Sequence, residues 1–299
     1  MNLKKRPYCQ SARDLSTFIY ALFFSLSLTA AEQPNHDIVL FELSKNEQGF
    51  SVDSFQQVAS SPHYDNQPFF AANGKDLFFT HIQGTNADIW KWDAKSGKTS
   101  VYAKTELSEY SPTVIPFEQT SLSTVRVEAD GTQRLWKLDK TGEFSMVFGA
   151  IKPVGYHAWS EQNIAMFVLG EPHELHISHF GSQSSTIIDK DIGRSMHKVP
   201  GKNAISYTVA KNNRQMLKVY DFDDKSMTEY LLLPEDTQDY VWYDESTIIS
   251  SKDGQLFYSS IHQPSWKNIE NLSKLGLSQI SRLAISPDLK KLAVVYVKP

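Results

Sequence analysis

The sequence predicts an all-β protein, a six-bladed β-propeller of four-stranded blades, and three observations carry that prediction. A distinctive apolar segment recurs at a near-constant period. Each copy follows a strand-turn-strand unit and precedes one further strand. The residue mix also favours extended structure, with 12% aromatic residues in 299 and abundant Val, Thr and Tyr, which suit a pleated, half-buried surface.

The first full copy, "ADIWKWDAKSGK", alternates Ile89 and Lys91 against Trp90 and Trp92 and then turns at Ala94 to Gly97. Related segments are "TQRLWKLDKTGE", "PHELHISHFGSQ", "RQMLKVYDFDDKS" and "GQLFYSSIHQPS". Their anchors Ile89, Leu135, Leu175, Leu217 and Leu256 lie about 39 to 46 residues apart, the period of a four-stranded propeller blade. A β-sandwich also has many short strands, but it does not repeat one four-strand unit at a fixed period. Second strands are expected at Asp76 to Ile82 and at "STVRVEA", "NIAMFVL", "NAISYTV" and "STIISS". Outer strands are expected at "KTSVYAKT", "FSMVFGA", "SSTIIDK", "TEYLLLP" and "WKNIENLS".

The last stretch, "ISRLAISPDLKKLAVVYVKP", supplies only two strands, and Lys291 to Val297 has no sequence-adjacent partner on its far side. An apolar edge of that kind invites aggregation unless something covers it. The expected cover is N-terminal: "HDIVLFELS" pairs with the last strand, Ile38 to Glu42 against Val294 to Val297, and "GFSVDSFQQVA" follows, so residues 278–299 and 36–60 together complete one blade and close the ring.

The motif letters Pro68, Phe70, Asn73, Gly74, Lys75, Asp88 and Ile89, with Ser286, Pro287 and Asp288 as a partial second copy, resemble the WD40-like (PD40) repeat of the TolB-type propeller family. The resemblance implies a six-bladed ring and a scaffold that binds protein or peptide. TolB proteins carry an additional N-terminal α/β domain for which this sequence leaves no room, so the expectation is a stand-alone propeller over residues 32–299.

Residues 1–31 read as a signal peptide. Lys4, Lys5, Arg6 and Arg13 precede the apolar run Phe18 to Leu28, which ends in Thr29-Ala30-Ala31. The run is well short of the roughly 20 residues a spanning helix needs, so a periplasmic protein without stable membrane insertion is expected. Removing the leader takes the formal charge from -4 to about -7, a poor match to nucleic acid, which demands a basic footprint. The single cysteine, Cys9, lies in the leader ahead of the apolar run. No disulfide, thiolate chemistry or lipid anchor is therefore expected in the mature chain.

Candidate functional residues come from the loops that lead into the innermost strands, at one mouth of the central channel. They are Tyr64, Asp65, Tyr110, Tyr156, His157, His197, Tyr240 and Arg282. Such side chains combine apolar area with a polar tip, as binding surfaces do. The competing reading is that aromatics at these positions pack the neck between blades. His173, His176 and His179 in "HELHISH" are close in sequence, but residues three apart on a strand face opposite sides, so a blade strand is expected there rather than a metal site. Glu109, His157, His197 and Asp239 form the one carboxylate-histidine set at the channel loops, with spacing that matches no recognised metal signature. No phosphate loop, HExxH or Ser-His-Asp order stands out.

The expected protein is a monomeric, non-enzymatic binding module with no cofactor, engaging a protein or peptide in the cell envelope. The alternative is a metal-dependent hydrolase or lyase, of lactonase or sugar-acid lyase type, with its site in the tunnel.

Overall fold

The computed structural model describes residues 35–298; the expected signal peptide lies outside them. The described chain opens with an antiparallel hairpin, β1 (His36–Asn46) and β2 (Gly49–Ala59). Four consecutive strands then form a meander, β3 (Tyr64–Phe70), β4 (Leu77–Gln83), β5 (Asn86–Asp93) and β6 (Lys98–Ala103). The second meander is β7 (Ser108–Ile115), β8 (Glu118–Val127), β9 (Gln133–Leu138) and β10 (Phe144–Met146), and the third is β11 (Val154–Ser160), β12 (Asn163–Val168), β13 (Glu174–His179) and β14 (Thr186–Lys190). The fourth is β15 (Ile192–Lys198), β16 (Ala204–Lys211), β17 (Arg214–Asp221) and β18 (Met227–Leu232), followed by β19 (Tyr240–Trp242), β20 (Thr247–Lys252), β21 (Gln255–Ser260) and β22 (Lys267–Asn271). A single 3-10 turn, Leu272–Leu275, then leads to β23 (Ile280–Ile285) and β24 (Lys291–Val297). The fold is all-β, with that turn the one helical element among the described residues.

The last strand does have a partner. β24 pairs with β1 antiparallel, with His36 opposite Val297, Val39 opposite Val294 and Glu42 opposite Lys291. Val294 to Val297 therefore meet His36 to Val39, a shift from the Ile38 to Glu42 expected from sequence. Both ends of this pairing carry polar contacts: Lys291 with Glu42 at one, and the Tyr296 hydroxyl donating to Asp37 Oδ2 (3.2 Å) at the other. With β23 on one side and β2 on the other, these make a four-stranded run from both ends of the described chain. One parallel bridge, His36 to Tyr64, joins it to the first meander.

The core lies between successive sheets. Alternate residues of β1 and β24 face opposite ways: Ile38, Leu40, Ala293 and Val295 pack with Phe70, Leu77, Phe79 and Trp92 of the first meander, while Val39, Phe41, Val294 and Tyr296 pack with Val241, Ile249 and Leu256 of the β19–β22 sheet. Both faces are buried, which is why "DIVLF" and "LAVVYV" read as unbroken apolar runs rather than as alternation. Similar clusters join every other consecutive pair of meanders. Turns repeat too. At Asn73-Gly74 the Gly74 amide closes onto the Ala71 carbonyl (2.8 Å) with φ +67, a conformation glycine tolerates without a Cβ clash.

Candidate functional site

Five of the innermost strands carry breaks in their pairing, between Asn66 and Phe69, Tyr110 and Thr113, Val154 and Tyr156, Ile192 and Met196, and Ile280 and Arg282. Such a break re-aims side chains away from the ladder. Gln67 and Ser111 take positive φ, 58 and 55. They are tied together: Gln67 Oε1 accepts from Thr80 Oγ1 (2.7 Å) and from the Ser111 amide (2.8 Å).

These strands enclose a cavity of about 100 Å³. Gln67 of β3, Ser111 of β7, Tyr156 and His157 of β11, Arg194 and His197 of β15, Tyr240 of β19 and Arg282 of β23 all line it, together with Asp239. A second space of about 220 Å³ is lined by Tyr64, Tyr110, Tyr156, Gln67 and apolar neighbours. Gln67 and Tyr156 belong to both, so a polar, charged pocket adjoins a tyrosine-lined one.

The charged pocket holds two guanidinium groups against one carboxylate. Arg194 Nη2 donates to Asp239 Oδ2 (2.7 Å) and to the Ser281 carbonyl (3.3 Å). Arg282 reaches Asp239 Oδ1 only at 3.9 Å, beyond a hydrogen bond. Its guanidinium instead lies over the Tyr156 ring, 4.8 Å from the centroid, a cation-π contact. Burial works against the Arg194 charge, but Asp239 more than offsets it and holds the pKa above the ordinary arginine range. Burial likewise pushes the Tyr64 phenol up to about 12, despite the opposing pull of Arg282.

Two serine nodes join neighbouring sheets beside the pocket. Ser206 Oγ donates to the His197 carbonyl (3.1 Å) and accepts from Tyr240 OH (2.8 Å) and Trp242 Nε1 (2.7 Å), which belong to the next sheet. Ser123 Oγ is placed alike, against the Thr113 carbonyl (3.3 Å), His157 Nε2 (2.7 Å) and Trp159 Nε1 (2.8 Å). Repeating the pattern makes His157 the Nε2–H donor and leaves Nδ1 a bare acceptor, buried and without a partner in the protein. Burial depresses the His157 pKa to about 3. Burial, with Arg282 second, depresses that of His197 to about 4. Both rings are neutral near pH 7.

The structure thus gathers seven of the eight sequence candidates around two adjoining spaces. Tyr64, Tyr110 and Tyr156 line the larger; Tyr156, His157, His197, Tyr240 and Arg282 line the smaller. Asp65 is set apart. It is buried, takes His81 Nδ1 at 2.6 Å and Ser61 Oγ at 2.8 Å, and lines neither space. Tyr240 is 1% exposed, with its hydroxyl engaged at Ser206, so it is chiefly an inter-sheet joint, as the packing reading held for such aromatics.

Of the carboxylate-histidine set, Glu109 is fully buried and committed to Arg126 (3.0 Å) and Thr105 (2.7 Å), away from the pocket. Desolvation raises its pKa. The "HELHISH" histidines have separate partners: the Gly170 amide for His173, Glu174 and Ser185 for His176, and the Phe180 carbonyl for His179. Among the described residues no group of three or more His, Cys, Asp or Glu side chains is placed to hold a metal ion. Sequence reading missed Arg194 and Gln67. Arg194 stands inside "IGRSMHK", a segment scanned for its histidine; a count of cations on the innermost strands would have found it.

No family model matches the chain, and no curated protein sequence matches it. Solved structures do. A candidate TolB of Agrobacterium tumefaciens superposes with TM-score 0.69 at 11% identity, covering 89% of this chain and 99% of the other. The fold is that of a β-propeller. TolB of Acinetobacter baumannii gives TM-score 0.55 at 10% identity over 88% of this chain and 64% of its own. An oligogalacturonate lyase solved in complex with manganese gives 0.56 at 10% identity over 90% and 98%. At these identities the likeness fixes the propeller fold and leaves the function to the site.

Proposed function

We propose that this protein is an exported, non-enzymatic TolB-type propeller that binds a protein or peptide segment at the tyrosine-lined mouth of its channel. The observation that carries this reading is the adjoining pair of spaces: Tyr64, Tyr110 and Tyr156 offer apolar area with polar tips, next to a pocket holding Arg194, Arg282 and Asp239. The scaffold beneath is read as a closed ring of six blades. That count is supported by five meanders plus the β23-β24-β1-β2 run and by apolar clusters between successive sheets, the last of which packs the β19–β22 sheet against β1 and β24. Periplasmic placement rests on the leader sequence; no described helix is long and apolar enough to cross a membrane.

The reading as a metal-dependent lyase or hydrolase has one favourable feature. His157 and His197 line the pocket and stay neutral, as metal ligands must be. Against it, each Nε2 is already engaged with a serine, and two guanidinium groups in the same pocket oppose a divalent cation.

Site-specific photocrosslinking separates the two. A benzophenone side chain at Tyr110 is expected to give a discrete adduct in the cell envelope, with none from the same probe at Lys225 on another face. Equal background from both positions, together with a stoichiometric divalent metal lost on His157→Ala, would reverse the ranking.

A further inference from the structure

We infer that Arg194 and Arg282 form a subsite for a carboxylate group, with the rest of the ligand lying among Tyr64, Tyr110 and Tyr156; this rests on the channel-mouth reading and gives its ligand a chemistry. The charge balance is the first reason. The pocket presents two permanent cations and one carboxylate, and while Arg194 is 37% exposed, Arg282 at 15% and Asp239 at 9% are poorly screened by water, which strengthens the uncompensated charge at Arg282. The second is donor capacity. Asp239 occupies one amino group of Arg194, while Arg194 Nε is buried without a partner and Arg282 stops 3.9 Å short of the same carboxylate. A guanidinium is a planar fork suited to a second carboxylate.

The third reason is that Arg282 is already positioned, held over the Tyr156 ring with its side chain only 15% exposed. Little rotamer freedom is left to lose on binding. Size adds a direction. The smaller space, about 100 Å³, has room for a carboxylate, and the adjoining 220 Å³ has room for the group that bears it. His157 belongs to the pocket lining and its Nδ1 is a buried acceptor without a partner, so a small shift of the ring would let it take a hydrogen bond from an N–H or O–H next to that carboxylate. A peptide C-terminus and a small hydroxy acid both have this pattern, and the probes below tell them apart.

The experiment is titration of the mature protein, followed by NMR, with N-acetyl-trialanine as the free acid, the same peptide as its C-terminal amide, and galacturonate. The free acid is expected to bind at least tenfold tighter than the amide. Arg282→Gln should erase most of that difference, and His157→Phe should weaken the acid without making the amide its equal. Asp239→Asn removes the competing carboxylate and should tighten the acid several-fold, which keeps the test alive should Arg282→Gln fold poorly. Arg282-dependent binding of galacturonate without the peptide acid would support the carboxylate subsite and overturn the peptide reading of the mouth. Equal binding of acid and amide, or acid binding unchanged in both Arg282→Gln and Asp239→Asn, would overturn the inference even where Tyr110 crosslinks a partner.

Discussion

The nodes at Ser123 and Ser206 are built from the same parts and differ in one side chain. At each, a serine on a second strand bonds a carbonyl of its own sheet and gathers a tryptophan Nε1 from the next. The remaining partner is Tyr240 at Ser206 and His157 at Ser123. Tyrosine has one polar atom, which the node consumes, so that joint is saturated. Histidine has two, and the second is left buried without a partner. One node holds sheets together and is used up; the other does so and keeps an unused acceptor.

Removing the serines is the harshest way to break this comparison. Ser206→Ala strands the Tyr240 hydroxyl and Trp242 Nε1, both deeply buried, at about 1 to 3 kcal/mol each. A loss of about 4 kcal/mol in urea unfolding is expected. Ser123→Ala strands Trp159 Nε1 and the His157 Nε2–H, and moving that proton to Nδ1 brings no relief because Nδ1 has no partner either. Its cost should also be about 4 kcal/mol, and a Ser123→Ala penalty well below that of Ser206→Ala would contradict the assignment of His157 as Nε2–H donor.

Acid separates the nodes next, because the tyrosine does not titrate there. His157 and His197 have pKa values held down by burial to about 3 and about 4, against an ordinary imidazole value of 6.5. The unfolded chain therefore binds protons that the native state refuses. Stability is full above about pH 6.5 and falls as pH drops towards 4, by at most ~1.4 kcal/mol per pH unit for each ring. Acidification from pH 7 to pH 5 should cost about 4 kcal/mol beyond what carboxylates contribute, about 2 kcal/mol from each ring. His157→Phe should remove about half of that slope in urea midpoints, and Tyr240→Phe none of it. Tyr240→Phe itself should cost about 1 kcal/mol at every pH, since Ser206 keeps its other two bonds.

How much of this was legible follows from what a linear pattern can carry. The strands and the clasp are written in apolar runs and in a period, so "LAVVYV" and "DIVLF" announced their need for partners, although an unbroken apolar run does not reveal the register of that pairing or the polar contacts at its ends. The tyrosines of the mouth were legible because they follow the loops. "HAW" and "YVW" were seen as rim residues, yet their roles depend on a serine 34 to 36 positions upstream in the neighbouring sheet. Asp65 shows the converse: its partner His81 lies directly opposite on β4, a register that sequence alone does not supply. Arg194 became visible only when β15, the approach to β19 and β23 brought it beside Asp239 and Arg282.

The mildest perturbation sharpens the comparison most, because it examines a node lacking the second sheet. Ser250 sits on β20, the corresponding second strand of the next sheet, fully buried, and donates to the Asp239 carbonyl (2.7 Å). No tryptophan reaches it: β23, which packs near, carries Leu283 and Ile285 where β11 and β19 carry Trp159 and Trp242. Ser250→Ala therefore removes one ordinary hydrogen bond and strands no donor, at ~0.5 to 1 kcal/mol. If urea unfolding instead shows a loss comparable to Ser206→Ala, the serine contributes through its own sheet, and the bond across sheets is not what distinguishes these nodes. A loss under about 1 kcal/mol would locate the difference in the tryptophan and its neighbour, the pair that uses every polar atom at Tyr240 and leaves one over at His157.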